Sequence, residues 1–364
     1  MKTPVLKKYP ESDVVRFVAA HERFVKRAAD GVRLQLRFAD MRGLILQRRD
    51  LSEADFAGSD WSRSRLAMSK FIRASFYCAT LVRADLRGAD LSQADLRGAS
   101  LRGANLYGAM LDDADFRDAE LAVANALDGY HLARIDDGGP TPETGSDPAR
   151  RGVDLRNCSL KRARLSGARL QGADFSGANL HGAQFRGARL DRVVFHDAIL
   201  TGVDLTGTHF PAGALARCVM DPDKPALDRV PALLEILSAA EHWLSIQGAD
   251  GAAAQLGGED LRPLGTSLVK RRLPGLVAPD VCAVDVDFSE SLLTGANFSG
   301  ADLRGAIFDG ADLRGTSFRN CRLAHARFVG SDLRPLPRSD GGEHPVDFSG
   351  ASVDGVILTG ALRG

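Results

Sequence analysis

The chain has 364 residues, 6% of them aromatic, and 47 basic side chains balance 47 acidic ones. That balance gives no general case for a nucleic-acid partner, and no apolar run approaches the roughly 18 residues of a membrane span. The five cysteines (Cys78, Cys158, Cys218, Cys282 and Cys321) are odd in number and too scattered for a disulfide framework, so a reduced, cytoplasmic protein is the expectation.

The first thirty residues stand apart. MKTPVLKKYPESD carries positive charge with no apolar core behind it, so it does not read as a secretory signal. Val14, Phe17, Val18, His21, Phe24 and Val25 then recur at helical spacing, which predicts a helix over about 12–28 ending near Gly31. From Leu36 the period changes to five. Every fifth residue is large and apolar as far as Leu121, and Leu86, Leu91 and Leu96 are typical. Alanine dominates two positions earlier, as at Ala84, Ala89 and Ala94, and glycine recurs two positions later, as at Gly88 and Gly98.

Residues 127–152 break the pattern with a stretch rich in Gly, Pro, Ser and Asp that reads as a loop or linker. The period restarts at Leu155, shifted by one, and runs to Phe210. A second interruption follows, and within it Val230, Leu233, Leu234, Leu237 and Leu244 predict a helix over about 229–247, with Asp228 as its N-cap. A last block of fives runs from Phe288 to Leu333, with Phe288, Phe308 and Phe328 each 20 residues apart. Arg338 and Glu343 would then fall at interior positions, so residues 334–347 should loop outward before Phe348 resumes the phase.

The expected organisation is therefore a helical cap (1–30), a first repeat block (31–126), a linker (127–152), a second block (153–210), a second cap and linker (211–255) and a third block (256–364) with a loop at 334–347. ADG at 29–31 and again at 249–251, each followed by QL and a D-[ML]-R motif at matching offsets, suggests a cap and repeat block used twice. Phe24 and Trp243 would anchor the two helices.

A strict five fits neither a helix nor a strand. It suits a chain that turns a corner every five residues around a narrow interior, with the large residue inside and alanine where backbone comes close. Aromatic residues 20 apart suggest four corners per turn and stacked rings. The tandem pattern, ADLRG at 84–88, ANLYG at 104–108, ANFSG at 296–300 and ADLRG at 301–305, resembles the pentapeptide repeat family. That resemblance implies an all-β solenoid, a right-handed quadrilateral β-helix, here with short α-helical caps. It also implies dimers formed through a solenoid end.

Chemistry is sparse in the sequence. No histidine sits at metal-ligand spacing with another histidine or a cysteine, and no nucleophile-elbow, zincin or phosphate-loop motif occurs, so neither cofactor nor catalysis is expected. Two charged clusters are candidate interaction patches: Asp112, Asp113 and Asp118 on one side of the linker, and Lys161, Arg162 and Arg164 on the other. They read either as complementary faces for a partner or as a junction between the blocks. A non-enzymatic protein-binding scaffold is the primary expectation. The resemblance supplies the alternative, because some members of the family mimic duplex DNA and protect DNA gyrase. Mimicry calls for a strongly negative wall. Lys and Arg number 14 against 14 Asp and Glu over 31–130, 9 against 5 over 151–210, and 8 against 11 over 281–364.

Overall fold

The computed structural model describes residues 6–117, 153–210, 213–247, 250–338 and 340–363. It divides into two compact units, Met1–Met220 and Asp221–Gly364. The predicted linker at 127–152 lies outside the described residues.

The residues 105–109 show how five residues make one repeat. The Asn105 N–H donates to the Ala84 carbonyl (2.9 Å), Leu106 to Asp154 (2.8 Å) and Gly108 to Arg156 (3.0 Å), while Ala109 closes the turn onto Leu106 (2.8 Å). The remaining N–H, that of Tyr107, donates to the Asn105 side-chain oxygen (3.0 Å). All five donors of the repeat are thus satisfied, as a backbone surrounding a dry interior requires. The residue two after the buried one is left-handed whatever its identity, with φ of 61° at Gly88 and 60° at Gln93. Glycine is common there because it takes that conformation without steric cost.

The expectation of an all-β solenoid, a right-handed quadrilateral β-helix, is corrected by the extended structure actually present. Among the described residues it consists of six two-residue strands, forming three separate pairs. All other lateral pairing is through isolated single-residue bridges. No sheet closes or curls, and the architecture is mostly turn and loop with a few short helices. The left-handed residue recurring every fifth position explains this, because it ends each extended stretch before a strand can lengthen.

In the first unit, β1 (Lys7–Lys8) pairs in parallel with β2 (Ala39–Asp40). Between them runs α1 (Glu11–Val25), which buries Val14, Val18 and His21 in the same apolar cluster as Leu34 and Leu36. Bridges then link residues 20 apart, such as Asp85 with Asn105. Three bridges span 49 residues instead: Asn105 with Asp154, Met110 with Ser159, and Asp115 with Arg164. The excess of 29 is one short of a whole number of pentads, which accounts for the one-residue shift of register between the first two blocks. The ladder passes across the insertion without a break.

Leu86, Leu91 and Leu96 are fully buried in this unit. It also buries Phe56, Trp61, Phe71 and Phe76, and beside them Ser59, Ser64 and Ser69 replace alanine in the small-residue position and are buried as well. The substitution has a local cause. The buried Trp61 indole N–H donates to Ser59 Oγ (2.8 Å), which itself donates to the Phe56 carbonyl. Ser59→Ala would leave the indole donor without its partner, so urea denaturation should show a loss of about 1–3 kcal/mol. An unchanged midpoint would refute that role.

In the second unit, α2 (Lys224–Asp228) precedes α3 (Val230–Ser245). The predicted N-cap is corrected here. Asp228 is the last residue of α2, α3 starts from Arg229 with no side-chain cap, and the capping carboxylate is Asp223, on Ala226 N (3.0 Å). α3 buries Leu233, Leu237 and Ala240 in the same cluster as Leu256 and Leu261. Bridges step by 22 at Gln255 with Val277, next to a 3-10 turn at Arg262–Leu264, and by 20 from Arg272 with Leu292 onward. The Phe288 ring stacks on Phe308 at 4.9 Å and Phe308 on Phe328 at 5.1 Å. The step then becomes 30, as at Ser317 with Asp347. Ten residues are thereby set outside the ladder, and part of them forms a hairpin of β4 (Leu336–Pro337) and β5 (Glu343–His344), with Glu343 exposed. The Leu336 side chain lies over Gly315, where a Cβ would come within 2.8 Å of it. The last row closes with β6 (Leu362–Arg363) paired in parallel to β3 (Asp332–Leu333).

Candidate interaction surface

With the fifth residues and their alanines inside, only the outer wall is available for recognition. Its commonest motif is an aspartate at the bridging position followed two residues later by an arginine. Arg87 donates to both carboxylate oxygens of Asp85 (2.7 and 2.8 Å). Nine such pairs occur among the described residues, each neutralised within its own repeat. The pairs also join vertically, as Arg97 to Asp115 at 3.9 Å and Arg314 to Asp332 at 3.7 Å. The guanidinium of Arg87 holds the Asp85 carboxyl below the usual carboxylate range, and Arg334 does the same to Asp332. These aspartates also accept from the backbone N–H two residues on, as Asp95 does from Arg97 N (3.2 Å). Their role in satisfying the backbone N–H two residues on was missed, although the Asx spacing could have signalled it.

The two candidate patches meet each other. Arg162 makes a two-pronged contact with Asp113 (2.7 and 2.8 Å), the Lys161 N–H donates to Asp112 (3.0 Å), and Arg164 stands 3.7 Å from Asp115. Ser159 Oγ also donates to Asp112. Asp118 lies outside the described residues. The acidic and basic clusters therefore sit on adjacent rows of one ladder, brought together by the 49-residue step.

Phe24 and Trp243, the candidate helix anchors, are both half-buried. Phe24 stacks against His21 at 5.7 Å, and a Cβ on Gly251 would lie 3.1 Å from Trp243 Cβ. The two helices differ at their histidines, since His21 is fully buried and His242 is exposed. A cleft of about 250 Å³ adjoins the end of α1, lined by residues that include Phe24, Arg27, Asp50, Glu53, Lys70 and Arg73. Glu53 and Arg73 are paired there at 2.6 Å, which leaves the cleft mixed in sign.

His21 is the most perturbed histidine. The Leu34 N–H donates to its Nδ1 (3.0 Å), which places the ring proton on Nε2, and Nε2 has no hydrogen-bond partner among the described residues. Burial pushes its pKa below the ordinary value, opposed by the backbone of Ser52 and the carboxylate of Asp50. The folded protein thus holds His21 neutral, whereas the unfolded chain takes up a proton near pH 6.5. Stability from this group is complete above about pH 6.5 and is lost as pH falls toward the depressed folded value. Denaturation midpoints should drop between pH 7.5 and 5.5, and His21→Leu should flatten that dependence. Identical pH profiles for the two proteins would contradict the assignment.

Two of the five thiols are withdrawn from reaction by burial. Cys158 and Cys321 occupy the small-residue position, buried, and donate to the carbonyls of Leu106 (2.8 Å) and Phe298 (2.9 Å). Burial raises both, Cys321 to about 12. No group of three or more His, Cys, Asp or Glu suited to a metal ion occurs among the described residues. No helix among them is long and apolar enough to cross a membrane.

The family profile for pentapeptide repeats matches in eight copies, over residues 50–88, 79–118, 151–187, 178–210, 284–320 and 296–334. Among solved structures, the chain is similar to HetL, a pentapeptide repeat protein involved in heterocyst differentiation regulation in the cyanobacterium Nostoc. They share 18% identity over 97% of this chain and 94% of HetL, with a TM-score of 0.23. Full-length QnrB1, a plasmid-mediated fluoroquinolone resistance protein, shares 22% identity over 56% of this chain and 97% of its own, with a TM-score of 0.25. A thylakoid-lumen repeat protein of Arabidopsis thaliana shares 22% over 38% and 69%, with a TM-score of 0.22. No curated protein matches the sequence.

Proposed function

Because the chain belongs to the pentapeptide repeat family, we propose that it is a non-catalytic scaffold, acting in the cytoplasm, which holds a protein partner against its repeat wall. The supporting observation is the use of the polar residues. The bridging aspartates serve the backbone two residues on and the neighbouring arginines, so the wall is a rigid, mostly neutral surface with regularly spaced side chains. Such a surface can recognise a partner by shape and by a few local departures from the pattern. Affinity capture with the full chain, followed by cross-linking, should return one protein at fixed stoichiometry. Repeated recovery of none would end the reading.

Gyrase binding by DNA mimicry fits this wall poorly, because the arginines neutralise the carboxylates a mimic would display. A supercoiling assay with the protein at micromolar concentration should show no protection of gyrase from its inhibitors. Self-association through the C-terminal row is the other contact we propose, since Val353 and Leu362 there are half-exposed. Sedimentation of the full chain against Leu362→Asp tests it, and a monomer at all concentrations would refute it.

A further inference from the structure

The self-neutralising pattern lapses at exposed arginines such as Arg63 and Arg65, and three more fall together within residues 185–195. In FRGARLDRVVF, residues 185–195, Gln184 stands where an aspartate would pair with Arg186, Arg189 takes the aspartate position itself, and Arg192 follows at the left-handed position with φ 60°. All three arginines are exposed and make no ion pair among the described residues. Arg189 is also the direct bridge partner of Arg169, so two guanidinium-bearing residues stand opposite each other on adjacent rows. Like charges placed opposite one another repel.

The nearby acids offset this charge only in part. Asp204, whose carboxylate feels Arg186, accepts from Thr206 Oγ1 (2.6 Å) and Thr206 N (2.9 Å). Asp197 pairs with Arg217 at 3.4 Å. Asp191 lies among the arginines as a single exposed carboxylate. A local excess of positive charge remains, three arginines against Asp191 and Asp204.

We propose that Arg186, Arg189 and Arg192 form a docking site for an acidic peptide segment of a partner protein. Side chains from two successive turns and the bridge residue between them present guanidinium forks suited to two-pronged capture of carboxylates. An acidic peptide is favoured over nucleic acid because no exposed Phe, Tyr or Trp is interleaved among these arginines for bases to stack on. This inference rests on the scaffold reading and specifies the chemistry of the partner.

The test is fluorescence anisotropy of the full chain with a labelled peptide of alternating glutamate and serine, beside a single-stranded oligonucleotide of equal charge. The peptide should bind, weaken as salt is raised, and lose at least tenfold in affinity with Arg186→Gln plus Arg189→Gln. Arg192→Gln should cost a few-fold, and Arg319→Gln in the other unit nothing. Melting curves of the variants should match the parent, since the changed side chains are exposed. No peptide binding, binding indifferent to the double substitution, or tighter binding of the oligonucleotide would overturn the proposal. A cellular partner whose capture ignores these substitutions would end the docking site and leave the scaffold reading standing. Recovery of no partner would end the scaffold reading itself.

Discussion

Phe308→Ala is expected to lower the stability of the 221–364 unit by about 3–5 kcal/mol, in the range for removing a buried aromatic side chain. Phe308 is fully buried and touches four other rings. It stacks on Phe288 (4.9 Å) and Phe328 (5.1 Å), and it meets Phe298 (5.9 Å) and Phe318 (5.5 Å) edge to face. The surrounding rows are held at fixed spacing by backbone bonds such as Phe308 N to the Arg327 carbonyl (2.7 Å), so the cavity cannot close by sliding one row against another. The effect should be confined to this unit, because its apolar cluster shares no residue with that of the first. Urea denaturation of the variant decides the point. A loss below about 1 kcal/mol would mean that the ring ladder packs far more loosely than its distances imply.

Gly31→Ala should be nearly as damaging, for a different reason. Gly31 does not adopt a left-handed conformation, so the difficulty is space. A Cβ there would lie 2.3 Å from Phe24 N, 2.4 Å from Phe24 Cα and 2.7 Å from the Arg23 carbonyl carbon, all backbone of the last turn of α1. The helix has little freedom to retreat. Val14, Val18 and His21 seat it, the Val32 N–H donates to Ala20 (3.1 Å), and the Leu34 N–H donates to His21. Overpacking of this kind costs about 1–3 kcal/mol, and contact with three consecutive backbone atoms favours the upper end. Amide exchange at Val32 and Leu34 should accelerate, and the His21 pKa should move back toward its ordinary value. Parent-like exchange at both amides would show that α1 accommodates the methyl group.

Which side chains go inside is legible in the repeat itself. The fifth residues and their alanines are distinguished by size and polarity alone, and Leu86, Leu91 and Leu96 are fully buried. The two main helices are legible for the same reason, since apolar spacing at 3.6 residues marks a face. Their caps are not, because Asp223 and Asp228 are both sound N-cap residues and only the short α2 decides between them. The extended structure was misjudged because a period of five says where the chain turns, and the lateral pairing depends on how many consecutive residues stay extended between turns. The Asp–Arg pairs were missed because composition treats two exposed charges as solvated, whereas the turn sets them within hydrogen-bond reach.

By itself the sequence determined the period, the buried column and the positions of the breaks, since each is a local contrast between apolar, small and polar residues. Only the tertiary structure decided what the charges do. Asp113 meets Arg162 across 49 residues because the bridges step by 49 there, and Arg189 stands opposite Arg169 because a bridge sets them in register. Electrostatic contacts fall off with distance in space, and distance along the chain does not determine that until the rows are stacked.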